Sequence, residues 1–208
     1  MGNSGPFLIS INKQMNCMTI FAQDGANGFI IPVKTYLTST GPDTPIGTFQ
    51  TPAKYRWRDM NHGIFTQYAT RIYKSFLIHS ILYSRPDPMT LDPLTYNYLG
   101  IAESAGCVRL LSGDAKWVYD NCALGTTVTI YNSPKAGPYD RPAIEWVIPG
   151  DQHWIPRILS LPSSNIRVYI QNGGEGVHWN YFPMTPSSPF HILPAWCAQI
   201  SGKTASWA

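Results

Sequence analysis

Over the first forty residues, apolar and polar positions alternate in short runs broken by turn residues. Phe7-Leu8-Ile9-Ser10-Ile11-Asn12 and Cys17-Met18-Thr19-Ile20-Phe21-Ala22 predict two strands joined by a polar turn, because a period of two is what a half-buried strand requires. Gln23–Gly28 makes a second turn. Phe29–Thr40 reads as a third strand interrupted at Pro32, which has no N–H to give a ladder. Further strands are predicted over 54–58 and 64–73, around the turn Asn61-His62-Gly63, and over 75–80. One segment changes period. Ser112 is placed to cap a helix running to Asn121 or Cys122, with Asp114 in its first turn complementing the dipole. Ala115, Val118 and Tyr119 or Cys122 share a stripe, Gly125 ends the helix, and Thr126–Tyr131 alternates as another strand.

Between these halves lies 84–100, which contains Pro86, Pro88 and Pro93 and reads as a loop or lid with a short helix over 92–99. Such long loops commonly carry substrate selection. The pattern predicts a mainly β fold, a sandwich or barrel with one principal helix. Past Pro134 the signal weakens. Residues 160–208 hold three charges, Arg167, Glu175 and Lys203, and one strand pattern at 166–171. The expected organisation is one domain over 6–155 and a loosely packed C-terminal extension of unknown structure over 156–208.

Composition narrows the function. Eighteen prolines and seventeen glycines favour short strands over long helices. A net charge of +3 with no Lys/Arg cluster argues against nucleic acid. No apolar run reaches the roughly 18 residues of a membrane span, and Met1–Pro6 has neither a basic nor an apolar leader region. Cys17, Cys107, Cys122 and Cys197 form no Cys-x-x-Cys pair, and His178 and His191 have no ligand-like partners, so no metal or other cofactor is expected.

Candidate chemistry gathers at Ser104-Ala105-Gly106-Cys107-Val108-Arg109-Leu110 and at His79 in Phe76-Leu77-Ile78-His79-Ser80. A cysteine after a glycine at a strand end can meet a substrate carbonyl closely, and imidazole is the commonest side-chain base for generating a thiolate. By itself a Gly-Cys pair is an ordinary buried feature. Cys17 and Cys122 read as core residues and His62 as a solvated turn residue.

The first of these stretches resembles Ser-His-Gly-Cys-(Ile/Val)-Arg-(Leu/Met), the signature of L,D-transpeptidases of the YkuD type. Thr44-Pro45-Ile46-Gly47-Thr48-Phe49, His79-Ser80 and Asp114-Ala115-Lys116-Trp117-Val118-Tyr119 agree in order, over about 7–132. The chain departs from the pattern at Ala105, where the family usually has histidine. The resemblance implies Cys107 as nucleophile and His79 as base. It also implies a Ser80 carbonyl that orients the ring, and backbone N–H groups around Gly106 and Cys107 as oxyanion donors. Arg109, Ser104 and Tyr68 are expected to meet the substrate. That substrate is implied to be a peptidoglycan stem tetrapeptide, joined to a second stem in a 3→3 cross-link. Hydrolysis by an L,D-carboxypeptidase and a catalytically weak peptidoglycan-binding domain stay open as alternatives. The resemblance further implies a role in cell-wall biogenesis and cell shape, a carbapenem target, a monomer, and action outside the cytoplasm with an export segment absent from this chain. Cys107 and His79 are expected within hydrogen-bond reach across one cleft.

Overall fold

A computed structural model describes residues 5–144, 147–154, 167–171 and 177–181. The chain divides into two units, Met1–Ser164 and Asn165–Ala208.

In the first unit, β1 (Phe7–Asn12) and β2 (Cys17–Gln23) form an antiparallel hairpin from Phe7↔Ala22 to Asn12↔Cys17. β3 (Phe29–Leu37) continues the meander, and the register skips from Ile20↔Lys34 to Phe21↔Pro32, so the proline sits at an irregularity where its missing N–H is tolerated. The predicted strand over 29–40 stops at Leu37, and Ser39 beyond it makes an isolated bridge to Arg109. β4 (Gly47–Gln50) re-enters this sheet beside β10 (Thr127–Tyr131), giving the order β3-β2-β1-β10-β4. β10 runs parallel to β1 from Ile9↔Val128 to Asn12↔Tyr131. A parallel pair needs a long crossover, and the whole second sheet is built within that connection.

The second sheet contains β5 (Lys54–Asp59), β6 (Phe65–Tyr73), β7 (Phe76–Ser80) and β9 (Val108–Leu110) in that order, with β8 (Leu82–Tyr83) also on β6. The Asn61-His62-Gly63 turn has φ of 75°, 55° and 72°, left-handed at all three positions. Ile9, Ile11, Met18, Ile20, Val128 and Ile130 of the first sheet join Ile72, Ile78, Val108 and Leu110 of the second in one buried cluster. α2 (Ser112–Asn121) adds Ala115 and Val118, and Cys122 follows at its end. Burying such side chains is worth about 1.5–3 kcal/mol each. The fold is mainly β, as predicted: two sheets over a shared core with one principal helix.

Two local expectations are corrected. Ser112 does not cap α2. Leu111 occupies that position without a side-chain cap, and the Ser112 hydroxyl shares a 2.6 Å hydrogen bond with Tyr83 instead. The helix expected over 92–99 is the shorter α1 (Pro93–Asn97), capped by Asp92 Oδ1 accepting from the Leu94 N–H at 3.0 Å. The 84–100 segment is also tied down. Leu91 and Tyr96 are buried with Ile81, Tyr83 and Ile148, and the Asn97 side chain exchanges two hydrogen bonds with the Ile148 backbone.

In the second unit, β11 (Arg167–Gln171) and β12 (Val177–Tyr181) pair antiparallel from Arg167↔Tyr181 to Gln171↔Val177. The sequence pattern marks only the first of them. Apart from these two strands, the loosely packed extension expected over 156–208 lies outside the described residues.

Tyr36 is fully buried, and its hydroxyl has no hydrogen-bond partner among the described residues. A buried unsatisfied hydroxyl costs about 1–3 kcal/mol, so Tyr36→Phe should leave the fold as stable or raise its stability by about 1 kcal/mol in urea unfolding. A loss of several kcal/mol would show that the hydroxyl is satisfied.

Candidate active site

Asn16 fixes a strap of chain that underlies the site. Its Oδ1 accepts from the Thr40 N–H at 2.9 Å and the Thr40 hydroxyl at 2.8 Å. Ser39, one residue earlier, exchanges both backbone hydrogen bonds with Arg109 (2.8 and 3.0 Å), and its hydroxyl accepts from the Gly100 N–H and donates to the Tyr98 carbonyl. Next, the strap takes up the carbonyls of the cysteine turn: Asp43 N–H donates to Ala105 O, and the Thr44 hydroxyl to Gly106 O at 2.9 Å. The Ser104 hydroxyl donates to Cys107 O at 2.5 Å. Two glycines make the contact possible. A Cβ on Gly41 would fall 1.8 Å from Ser104 O, and one on Gly106 would fall 2.4 Å from the Phe76 ring.

β9 lies parallel to β7 with Ile78↔Val108 and His79↔Arg109 in register. One step back along that register Cys107 is level with Leu77. Side chains alternate across a strand, so Ile78, Val108 and Leu110 enter the core while His79, Cys107 and Arg109 share the opposite face. This is how residues 28 positions apart (107 − 79) come together.

His79 is 1% exposed. Its Nδ1 is 2.5 Å from Ser80 O and 2.9 Å from Thr66 Oγ1. Burial, with the Arg109 charge acting in the same direction, lowers its pKa from 6.5 to about 4, against the opposing Ser80 hydrogen bond. The ring is therefore neutral at neutral pH. Cys107 is half-buried, and burial raises its thiol pKa while the Leu77 backbone hydrogen bond and Arg109 pull it down. Both shifts favour uncharged side chains, a thiol at Cys107 and a neutral ring at His79. Among the described residues the Sγ hydrogen bond goes to Ser75 O at 3.8 Å, not to His79 as expected. Catalytic hydrogen bonds are often loose without substrate.

Arg109 makes no side-chain hydrogen bond among the described residues, and its buried Nε lacks a partner. Burial lowers its pKa, with Cys107, Asp92 and Glu103 acting oppositely. Tyr68 is not brought to this face. Its ring stacks under Arg56 at 4.0 Å and edges onto Tyr119 of α2, and its φ is +50°. Ala105 is exposed. Sequence reasoning misses Thr66, Ser39 and Asn16, and finds Thr44 only as the first residue of an ordered motif with no role of its own. They are small polar residues whose importance comes from distant pairing, and a local pattern carries no sign of it.

One open cavity of about 380 Å³ lies behind the strap, lined by Lys13, Asn16, Gly41 and Ala102 among others, and none of the residues on the His79 face reaches it. Among the described residues no cluster of His, Cys, Asp or Glu could hold a metal, and no helix is long and apolar enough to cross a membrane.

Residues 6–130 match the YkuD family, the L,D-transpeptidase catalytic domain. YciB of Bacillus subtilis (strain 168), assigned by name to the L,D-transpeptidases, is 32% identical over 120 residues, 53% of this chain and 59% of that relative. The chain thus spans under two thirds of that relative's length. A fused Zn-dependent amidase/peptidase/peptidoglycan-binding-domain protein from Clostridium acetobutylicum is similar at 26% identity and a TM-score of 0.47, covering 63% of this chain and 55% of that one. An L,D-transpeptidase from Mycobacterium smegmatis gives 20% identity and a TM-score of 0.47, with 62% and 59% covered.

Gly41→Ala should separate strap from cysteine turn, lowering stability by about 1–3 kcal/mol and slowing alkylation of Cys107; unchanged melting and alkylation would contradict the packing. A second expectation follows from His79. Between pH 6.5 and 4 the unfolded chain binds a proton at this ring that the folded chain refuses. Stability is therefore full above 6.5 and falls as pH drops toward 4, by roughly 2–3 kcal/mol at pH 4.5. Urea unfolding at pH 7 and 4.5 should show this loss in the wild type and its absence in His79→Gln.

Proposed function

The chain belongs to the YkuD family of L,D-transpeptidase catalytic domains, and from that premise we propose that it is a cysteine L,D-transpeptidase acting on peptidoglycan stem peptides. The observation that carries the reading is the shared face of His79, Cys107 and Arg109, with Nδ1 of His79 held against a carbonyl. His79 Nε2 takes the thiol proton as Cys107 Sγ bonds to the stem carbonyl carbon. N–H groups of Gly106 and Cys107 receive the developing oxyanion, since the carbonyls of the same two peptide units, Ala105 O and Gly106 O, are held by the strap. The C–N bond to the terminal D-residue then breaks, and that amine leaves with the proton from His79. An amine of a second stem attacks the thioester and gives its proton to His79, and the sulfur leaves and takes that proton back, so that a 3→3 cross-link forms and the thiol is restored. Arg109, charged and in no salt bridge among the described residues, suits a stem carboxylate. Ser104 acts through the Cys107 carbonyl, and Tyr68 has no contact supporting a substrate role. Such an enzyme works as a single chain at the cell wall, outside the cytoplasmic membrane.

Ala105 favours a second reading. A small exposed side chain beside Cys107 admits water, and water as acceptor makes an L,D-carboxypeptidase. Incubating the protein with a stem tetrapeptide and a stem acceptor, with products read by mass, separates the two. A cross-linked dimer supports the transpeptidase and a tripeptide alone supports the carboxypeptidase. Neither product would leave the non-catalytic binding domain. The nucleophile is tested by imipenem. The intact protein should gain one adduct, at Cys107, lost in Cys107→Ala and kept in Cys17→Ala and Cys122→Ala.

A further inference from the structure

Thr66 stands on β6, fully buried, with one hydroxyl proton and three polar neighbours. Its Oγ1 is 2.9 Å from His79 Nδ1, 3.0 Å from Ser80 O and 2.9 Å from Ser80 Oγ. The acceptors of this cluster fix one tautomer of His79. Ser80 O can only accept, and it lies 2.5 Å from Nδ1, so Nδ1 carries hydrogen. Ser80 Oγ gives its proton to Ile81 O at 2.7 Å and accepts from the Gln67 N–H at 2.8 Å. The Thr66 proton goes to Ser80 O or to Ser80 Oγ, and in either case Thr66 Oγ1 receives a share of the Nδ1–H. Nε2 is left without hydrogen, which is the form a general base needs.

We propose that Thr66 is a positioning residue that, together with the Ser80 carbonyl, holds His79 in its Nδ1–H tautomer and aims Nε2 at Cys107. Its role in turnover rests on the reading of His79 as base. Thr66 acts only through that ring and does not touch the reacting atoms. Charge does not compete for this role. The charged group acting on His79 is Arg109 from β9, Cys107 is the titratable neighbour before that strand, and Asp92 and Glu103 act on Arg109. Thr66 and Ser80 bring no charge from β6 and β7.

The test compares wild type, Thr66→Val, which keeps the shape and removes the hydroxyl, and Thr66→Ser, which restores it. Imidazole ¹⁵N shifts report the tautomer, and iodoacetamide alkylation followed at the Cys107 peptide against pH reports the base. We expect Nδ1–H in the wild type. Thr66→Val should give a mixed tautomer and alkylation about tenfold slower at neutral pH. Thr66→Ser should return both to within about twofold. Nε2–H in the wild type overturns the proposal, a measurement that needs no variant to fold. Wild-type behaviour in Thr66→Val, or Thr66→Ser as impaired as Thr66→Val, also overturns it. The tautomer is read without any substrate, so a protein that fails to turn over stem peptide but shows these shifts loses only the assigned reaction. Cys107→Ala controls the alkylation.

Discussion

The site depends on how a three-residue strand is held. β9 is too short to persist by itself, and it carries Arg109 and follows directly on Cys107. One edge pairs in parallel with β7 and the other is gripped through the paired backbone hydrogen bonds of Ser39. An interior strand has its backbone polar groups matched on both sides, which removes the cost of leaving them dry and unpaired. Parallel register then decides which side chains meet. A slip of one residue would turn Cys107 and Arg109 into the core and Val108 out of it. The burial of Val108 and Leu110 in the main cluster opposes that slip. Apolar packing on one face of β9 thus fixes the chemistry presented on the other.

Electrostatics on that face follow from dryness more than from charge pairing. The lone ion pair among the described residues, Lys116–Asp120, is a surface contact on α2. His79 is kept neutral because its site gives an imidazolium little solvation, and Arg109 adds to the effect. The same charge favours a thiolate at Cys107. One guanidinium therefore pushes both partners toward the state after the proton has left, sulfur negative and ring uncharged, while the ring must briefly carry that proton. The arrangement suits a base that passes a proton on quickly to a leaving amine. It does not suit a resting thiolate–imidazolium pair, which would need a ring with a higher pKa.

Much of this architecture was legible in the chain. The alternation over 7–22 found β1 and β2, and the helical stripe of Ala115, Val118 and Cys122 found α2, because those signals are set by which face is buried. The shared face of His79 and Cys107 could be anticipated from ordered motifs but not from periodicity, since parallel strands are joined through long crossovers. Ser112 shows where local rules yield. A capping residue at the right place gave its hydroxyl to Tyr83 because tertiary packing offered a buried partner. Tyr68 shows the other limit. Alternation along β6 predicts its direction only if the strand is regular, and a left-handed φ at this residue sends the ring to Arg56 and Tyr119.

The groups left unsatisfied in the interior are unevenly placed. Thr38 adjoins Ser39, Gln67 adjoins Thr66, Thr70 faces Ile78, and Arg109 lies on the site face itself. Each buried polar atom without a partner costs on the order of 1–3 kcal/mol, so the strands that hold the site are also those that give up stability around it. Tyr36 differs, being walled in by the main core on the first sheet. For Arg109 the missing partner has a chemical meaning, because a forked cation is complemented by a carboxylate more fully than by any neutral group. On the proposed reading, a stem-peptide carboxylate that completed Arg109 would also neutralise the smaller of the two effects that lower the His79 pKa, burial being the larger. On that reading binding would ease proton uptake by His79 while withdrawing the same charge's help to a Cys107 thiolate.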